Sequence, residues 1–172
     1  VMGLYDGVDG GDESSTAHVA RILNAPIILV ADVKGMSRSC GALVSGYTGF
    51  DKSLRFAGAV LTKGGSERHR SMVCSALPIP VLGWIPRTEA LAVESRHLGL
   101  LLAEEDSRMK QTAELIEETC LLDEILKAAS AAPAVSAAAD AEEKEPAFTL
   151  AAASDSAFCF SYADNFTALR NA

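Results

Sequence analysis

Three short runs in this chain place polar or charged groups where a backbone turn would present them: Tyr5-Asp6-Gly7, Ser15-Thr16 and Ser37-Arg38-Ser39. Ser15 or Thr16, and Ser37 or Ser39, stand just ahead of apolar-periodic stretches, which is where helix N-caps sit. A helix start offers unpaired N–H groups and the positive end of the helix dipole. It therefore suits a carboxylate or phosphate as well as a cap. Arg38 adds a guanidinium that can grip a carboxylate with two hydrogen bonds. Ser66-Glu67-Arg68-His69 opens a third helix in a capping arrangement, with a solvated first turn as the plain alternative. Asp6-Gly7 is equally an ordinary turn, and Asp32 reads as a turn-former with the exposed Lys34 beside it. His97, within Glu94-Ser95-Arg96-His97-Leu98-Gly99, is a lone loop histidine, and His18 beside Val19 reads as structural. Asp9, Asp12 and Glu13 lack the spacing of a calcium loop. Cys40, Cys74, Cys120 and Cys159 form no CxxC pair, which gives no zinc or disulfide framework and leaves a reducing cytoplasm as the default.

The elements that must hold these groups alternate. Val1–Leu4 reads as the end of a strand, followed by a Gly- and acid-rich loop and a helix carrying Val19, Ile22 and Leu23. Ile27–Ala31 is a continuous apolar run, suited to a strand buried on both faces. A helix from Ser37 or Ser39 to about Gly46, a strand over 55–62, a helix from Ser66 to about Leu77 and a strand over 80–85 follow. Trp84 reads as core, and Pro86-Arg87 ends the last strand. This alternation predicts right-handed crossovers and a parallel sheet. The loops after Leu4, Ala31, Thr62 and Ile85 would then open on one sheet edge, where ligands bind in such folds. Residues 107–129 carry Met109, Ala113, Ile116, Cys120 and Leu121 at helical spacing and predict one scaffold helix.

The chain has 172 residues, 49% of them hydrophobic and 22% charged, with a net charge of -8. That acidity argues against nonspecific nucleic-acid binding. No apolar run is long enough to cross a membrane as a helix. Residues 131–146, AAPAVSAAADAEEKEP, hold one sizeable apolar residue, Val135, and read as a linker. It separates a first domain, 1–130, from the start of a second α/β domain at 147–172, where Phe148–Ala151 suggests a strand and Tyr162–Asn165 leads into a helix. The non-methionine start and this second beginning suggest an internal piece of a longer protein. An unpaired strand at 148–151 would offer an edge to a second copy, a possible homodimer.

The motifs VMGLYDG, SSTAH, GMSRS, GAVLTKGGSERH, PVLGWIPR and ESRHLGL occur in this order along the chain, and SDSAFCFSYADN follows the linker. In these motifs the chain resembles the cobyrinate a,c-diamide synthases. The resemblance implies an α/β, parallel-sheet, P-loop NTPase-like domain akin to dethiobiotin synthetase, here without its Walker A segment. It then implies the start of a glutamine amidotransferase domain. It implies a ligase that uses ATP, Mg2+ and glutamine to convert two corrinoid carboxylates to amides. Hydrogenobyrinate, a nickel sirohydrochlorin or a non-catalytic binding module are the alternatives. On the family pattern Tyr5, Asp6, Gly7, Ser15, Thr16, Ser37, Arg38, Ser39 and His97 would border the substrate. Thr62, Lys63, Pro86 and Arg87 would line the nucleotide pocket. Thr62 stands where relatives usually carry asparagine and offers a hydroxyl in place of an amide. No catalytic residue and no metal ligand is expected within these residues, which contain no G-x-x-x-x-G-K-[ST] and no amidotransferase nucleophile in its context.

Overall fold

The computed structural model describes residues 3–88, 108–136, 148–155, 158 and 161–170. They fall into two compact units, Val1–Ala134 and Val135–Ala172. In the first unit the order is α1 (Thr16–Leu23), β1 (Ile27–Asp32), α2 (Arg38–Phe50), β2 (Phe56–Gly64), α3 (Glu67–Cys74), β3 (Val81–Pro86), α4 (Met109–Thr119) and α5 (Leu122–Ser130). The second unit contributes α6 (Ala163–Arg170). The three strands form a parallel sheet in the order β1-β2-β3, the α/β architecture expected of a P-loop NTPase-like domain.

The core lies between one face of this sheet and the helices α2 and α3. Val33, Cys40, Val44, Leu61 and Val73 are wholly buried there, with Ala59 and Trp84 beside them. Burial raises the Cys40 thiol above its ordinary range, and the nearby Cys74 adds to the effect. The other face is covered less evenly. Leu82 and Val60 are buried, but Val30 of β1 remains 66% exposed, so β1 is not buried on both faces among the described residues.

Several boundaries differ from the sequence reading. Gly3 and Leu4 lie in a bend rather than a strand. The Leu4 carbonyl accepts the Ala17 N–H, 2.9 Å, and so ties this segment to a helix. Strand β2 runs two residues further than expected, which puts Lys63 and Gly64 in the strand and not in a loop. Helix α2 continues to Phe50, and α3 stops at Cys74. The single helix expected over 107–129 is two helices. Cys120 between them is extended and bridges Gly83, and the Leu121 N–H donates to the Leu82 carbonyl at 2.7 Å. The 3.6-residue periodicity continues across the break, but the open edge of β3 captures the chain there. Unpaired strand groups take a partner where one is within reach. Residues 148–151 form no strand, so the edge expected to recruit a second copy is absent.

Candidate functional site

Parallel pairing puts the last residues of β1, β2 and β3, namely Asp32, Gly64 and Pro86, on one edge of the sheet. The turn after β1 is built by Val33, whose carbonyl accepts the Met36 N–H at 3.0 Å. Gly35 supplies the φ of 71° that this turn uses. Ser37 then precedes α2 but makes no side-chain cap bond, and Ser37, Arg38 and Ser39 are all exposed. A shallow groove of about 640 Å³ runs from Arg38 and Ser39 past Ser45 to Ser75.

At the end of β2, Lys63 adopts φ 56°, a conformation few non-glycine residues take. Its Nζ lies 2.6 Å from Asp32 Oδ2, and Asp32 Oδ1 accepts the Lys34 N–H at 2.9 Å. The Lys63 contact, followed by the Lys34 N–H, holds the Asp32 carboxyl below its ordinary range. Both side chains are about half exposed, so this pair aligns the two strand ends and adds little stability. Thr62 is half-buried, and its Oγ1 donates to the Ala31 carbonyl at 3.4 Å. Gly64 is followed by Gly65, and the Gly64 carbonyl accepts the Arg87 N–H at 2.9 Å, which joins the β3 end to the β2 end. A Cβ at Gly64 would lie 2.3 Å from Trp84 Cε2, so only glycine lets the indole cross the end of β2.

His69 completes this edge. Its Nδ1 accepts the Gly65 N–H at 3.0 Å, which leaves the ring hydrogen on Nε2 in the neutral imidazole. Nε2 then donates to the Met36 carbonyl at 2.6 Å. The ring meets Trp84 edge-on, 5.3 Å between centroids. In the sequence His69 is legible only as part of a helix start, and these bonds are not. The spacing that signals them is Ser-x-x-His, and it occurs twice, at 15–18 and at 66–69.

The other predicted residues gather elsewhere. Tyr5 Oη donates to the Tyr47 carbonyl at 2.5 Å, and its ring contacts Tyr47 and Phe50. Burial and then Asp51 raise its phenol above the ordinary range. Tyr47 is nine residues beyond Arg38, about 14 Å along the helix axis. The Tyr5 segment therefore docks on the last turns of α2 and does not open beside Arg38. Asp6 is exposed. Gly7 sits where a Cβ would meet the Glu13 carbonyl oxygen at 2.3 Å. Ser15 is wholly buried: its Oγ donates to Asp12 Oδ1 at 2.9 Å and accepts the His18 N–H at 3.0 Å. Thr16 is the exposed first residue of α1. Arg21 bridges Asp12 and Asp51, at 2.6 and 2.8 Å. Ser53, with Arg21 after it, lowers the Asp51 carboxyl to about 2.

Pro86 is half-buried at the end of β3, and Arg87 is exposed next to it. His97 lies outside the described residues. The structure thus brings together Ser37, Arg38, Ser39, Thr62, Lys63, His69, Pro86 and Arg87 at the sheet edge. It places Tyr5, Asp6, Gly7, Ser15 and Thr16 in a separate cluster around α1.

The sequence was also compared with known proteins. It is 37% identical over its whole length to a cobyrinate a,c-diamide synthase of Synechococcus sp., of which it covers 40%. It is 40% identical over 98% of its length to that of Gloeobacter violaceus, covering 39% of that protein. Over 122 residues, 69% of the chain, it is 48% identical to a hydrogenobyrinate a,c-diamide synthase of Thermobifida fusca, covering 26% of it. The chain thus spans about 40% of the length of the relatives it matches end to end. No family model and no solved structure matches it.

Proposed function

We propose, for a chain related along its length to the cobyrinate and hydrogenobyrinate a,c-diamide synthases, that it forms part of an ATP-dependent, glutamine-using amidoligase acting on a corrinoid in cobalamin synthesis. Residues 1–130 would belong to the ligase domain, 131–146 to a linker and 147–172 to the start of the glutamine amidotransferase domain. The observation that carries this reading is the relationship itself, which extends through both sides of the linker.

The chemistry the reading requires is simple to state. A corrinoid carboxylate is a poor electrophile. Its oxygen attacks the γ-phosphorus of ATP, ADP leaves, and a mixed anhydride forms. Ammonia released from glutamine attacks the carbonyl carbon, phosphate leaves, and loss of a proton gives the amide. Charge on the transferring group must be held by donors fixed in advance.

The start of α2 fits the carboxylate. Its cap position is uncommitted, Arg38 is exposed beside it, and the helix is 13 residues long. Ser15, by contrast, spends both hydrogen-bonding capacities inside the protein. Thr62, Lys63, Pro86 and Arg87 would border the nucleotide from the adjacent strand ends, with the Thr62 hydroxyl available to a base as an acceptor. Tyr5, Asp6 and Gly7 would act on the substrate only by shaping the wall around α1.

Magnesium is a different case. Among the described residues no group of three acidic, histidine or cysteine side chains could hold a metal ion, and both Asp32 oxygens are engaged. These side chains do not form a magnesium site. Among the described residues no helix is long and apolar enough to cross a membrane, and we place the protein in the cytoplasm with its small-molecule substrates. Association with a second copy would need a surface other than residues 148–151.

The test uses the full-length protein with cobyrinic acid, magnesium-ATP and glutamine, followed by mass spectrometry of the corrinoid. Two successive carboxylate-to-amide shifts that need both cosubstrates are expected. ATP hydrolysis without a shift would overturn the cobyrinate assignment, and no shift with no hydrolysis would favour a non-catalytic binding module. The 48% identity to the Thermobifida fusca protein favours hydrogenobyrinate, the substrate in that protein's name, as the second substrate to try.

A further inference from the structure

Both Ser-x-x-His segments build a variant of the capping box. The serine at the cap accepts the N–H three residues on, and the histidine reaches back to the N–H just before the cap. At α1 the ring stops there: His18 Nδ1 accepts the Ser14 N–H, and no bond from its Nε2 joins it to another element among the described residues. At α3 the second nitrogen continues across to the Met36 carbonyl. Met36 is the last residue before Ser37, Arg38 and Ser39. Gly65 is two residues after Lys63. One imidazole therefore spans the loop after β1 and the loop after β2, over the indole of Trp84 from β3.

We propose that His69 is a positioning residue that clamps the carboxylate-binding start of α2 against the nucleotide-bordering end of β2. This rests on the amidoligase reading, because it gives the clamp its purpose. The two reactants of the phosphoryl transfer would be carried by two different loops. Their separation decides the rate, and a misplacement of about 1 Å costs on the order of 100-fold. The backbone fixes the start of the turn after β1, where the Val33 N–H donates to the Thr62 carbonyl at 3.0 Å, and Asp32 and Lys63 join the same strand ends through exposed side chains. The far end of the turn, at Met36, has its N–H spent within the turn, on the Val33 carbonyl. The His69–Met36 bond joins the two loops beyond the strands. The His69 ring also touches Trp84, which lies over Gly64, so the clamp stands on the buried floor of the sheet.

Two substitutions separate the clamp from the local cap. In His69→Asn the side-chain carbonyl can take the Nδ1 position and keep the Gly65 bond, but nothing reaches Met36. In His69→Gln the side-chain amide can reach the Met36 carbonyl while the Gly65 bond is lost. Both lose the ring contact with Trp84 equally. In the full-length enzyme His69→Asn is expected to lower kcat about 10- to 100-fold with less than about threefold change in either KM. His69→Gln is expected to retain kcat within about threefold. Hydrogen exchange at residues 36–40 is expected to quicken in the Asn variant and not in the Gln variant. Equal kcat losses in the two variants, or an Asn variant as active as the parent, would overturn the clamp. Should the parent protein fail to amidate any corrinoid, the amidoligase reading falls. The exchange comparison still decides the clamp: faster exchange confined to the Asn variant supports it, and unchanged exchange removes it.

Discussion

Helices α1 and α3 begin with the same four-residue device, yet their surroundings differ. Around α1 the device is closed in on itself. Ser15 is wholly buried, Asp12 holds its hydroxyl, Arg21 holds Asp12 and Asp51, and Tyr5 lies on the aromatic rings of α2. Around α3 Ser66 is exposed, its cap bond is 3.4 Å long, and the histidine spends its second nitrogen on a neighbouring loop. Between them α2 starts with no side-chain cap. The same local sequence thus closes on itself at α1 and reaches a neighbouring loop at α3. Local spacing sets the cap; what the second ring nitrogen meets sets the consequence.

The strongest way to break this contrast is Gly7→Ala. Its Cβ would meet backbone atoms of Gly11, Asp12 and Glu13 at 2.3–2.7 Å, and backbone cannot turn aside as a side chain can. A loss of about 3 kcal/mol is expected in denaturant unfolding. Faster hydrogen exchange should be confined to the start of α1, with the start of α3 unchanged. A smaller and paired effect comes from the caps. Ser15→Ala should cost about 1–2 kcal/mol, because it leaves Asp12 and the His18 N–H without a buried partner. Ser66→Ala should cost about 0.5 kcal/mol, since water can replace an exposed and long cap bond. Equal costs would erase the distinction between the two starts.

Acid offers the smallest but cleanest separation. Asp51 titrates at about 2 in the folded protein, below the ordinary carboxylate range, through Ser53 and Arg21. Asp12 is lowered in the same direction by Arg21 and Ser15. A carboxyl depressed on folding contributes stability above its unfolded pKa and loses it as the pH falls toward its folded pKa. The α1 side should therefore weaken between about pH 4 and pH 2. Carbon-13 titration of the carboxyl groups checks the values. Replacing Arg21 by alanine should move both midpoints upward and flatten the fall in stability.

The sheet was legible because β1, β2 and β3 are short apolar runs, each closed by turn chemistry. The break at Cys120 was not, because periodicity counts side chains and the break comes from backbone hydrogen bonds to β3. The exposure of Val30 was equally hidden: an apolar run looks the same whether one face or both are covered. At the site, Ser37, Arg38 and Ser39 were legible as a helix start, and the structure adds that the start lacks a cap. Tyr5 was read as part of the same edge. Its ring found Tyr47 and Phe50, nine and twelve residues beyond Arg38 in the chain, and no local pattern encodes that long-range packing. The bridge from His69 to Met36 joins residues 33 apart and was invisible for the same reason.

On the proposed reading, the open start of α2 receives the carboxylate to be amidated. The most direct measurement is the KM for the corrinoid in full-length protein carrying Arg38→Ala, with ATP saturating. Loss of a charge-assisted contact is worth about 1.5–3 kcal/mol, so a rise in KM of roughly 10- to 100-fold is predicted, with the KM for ATP unchanged. A corrinoid KM that does not move would contradict it.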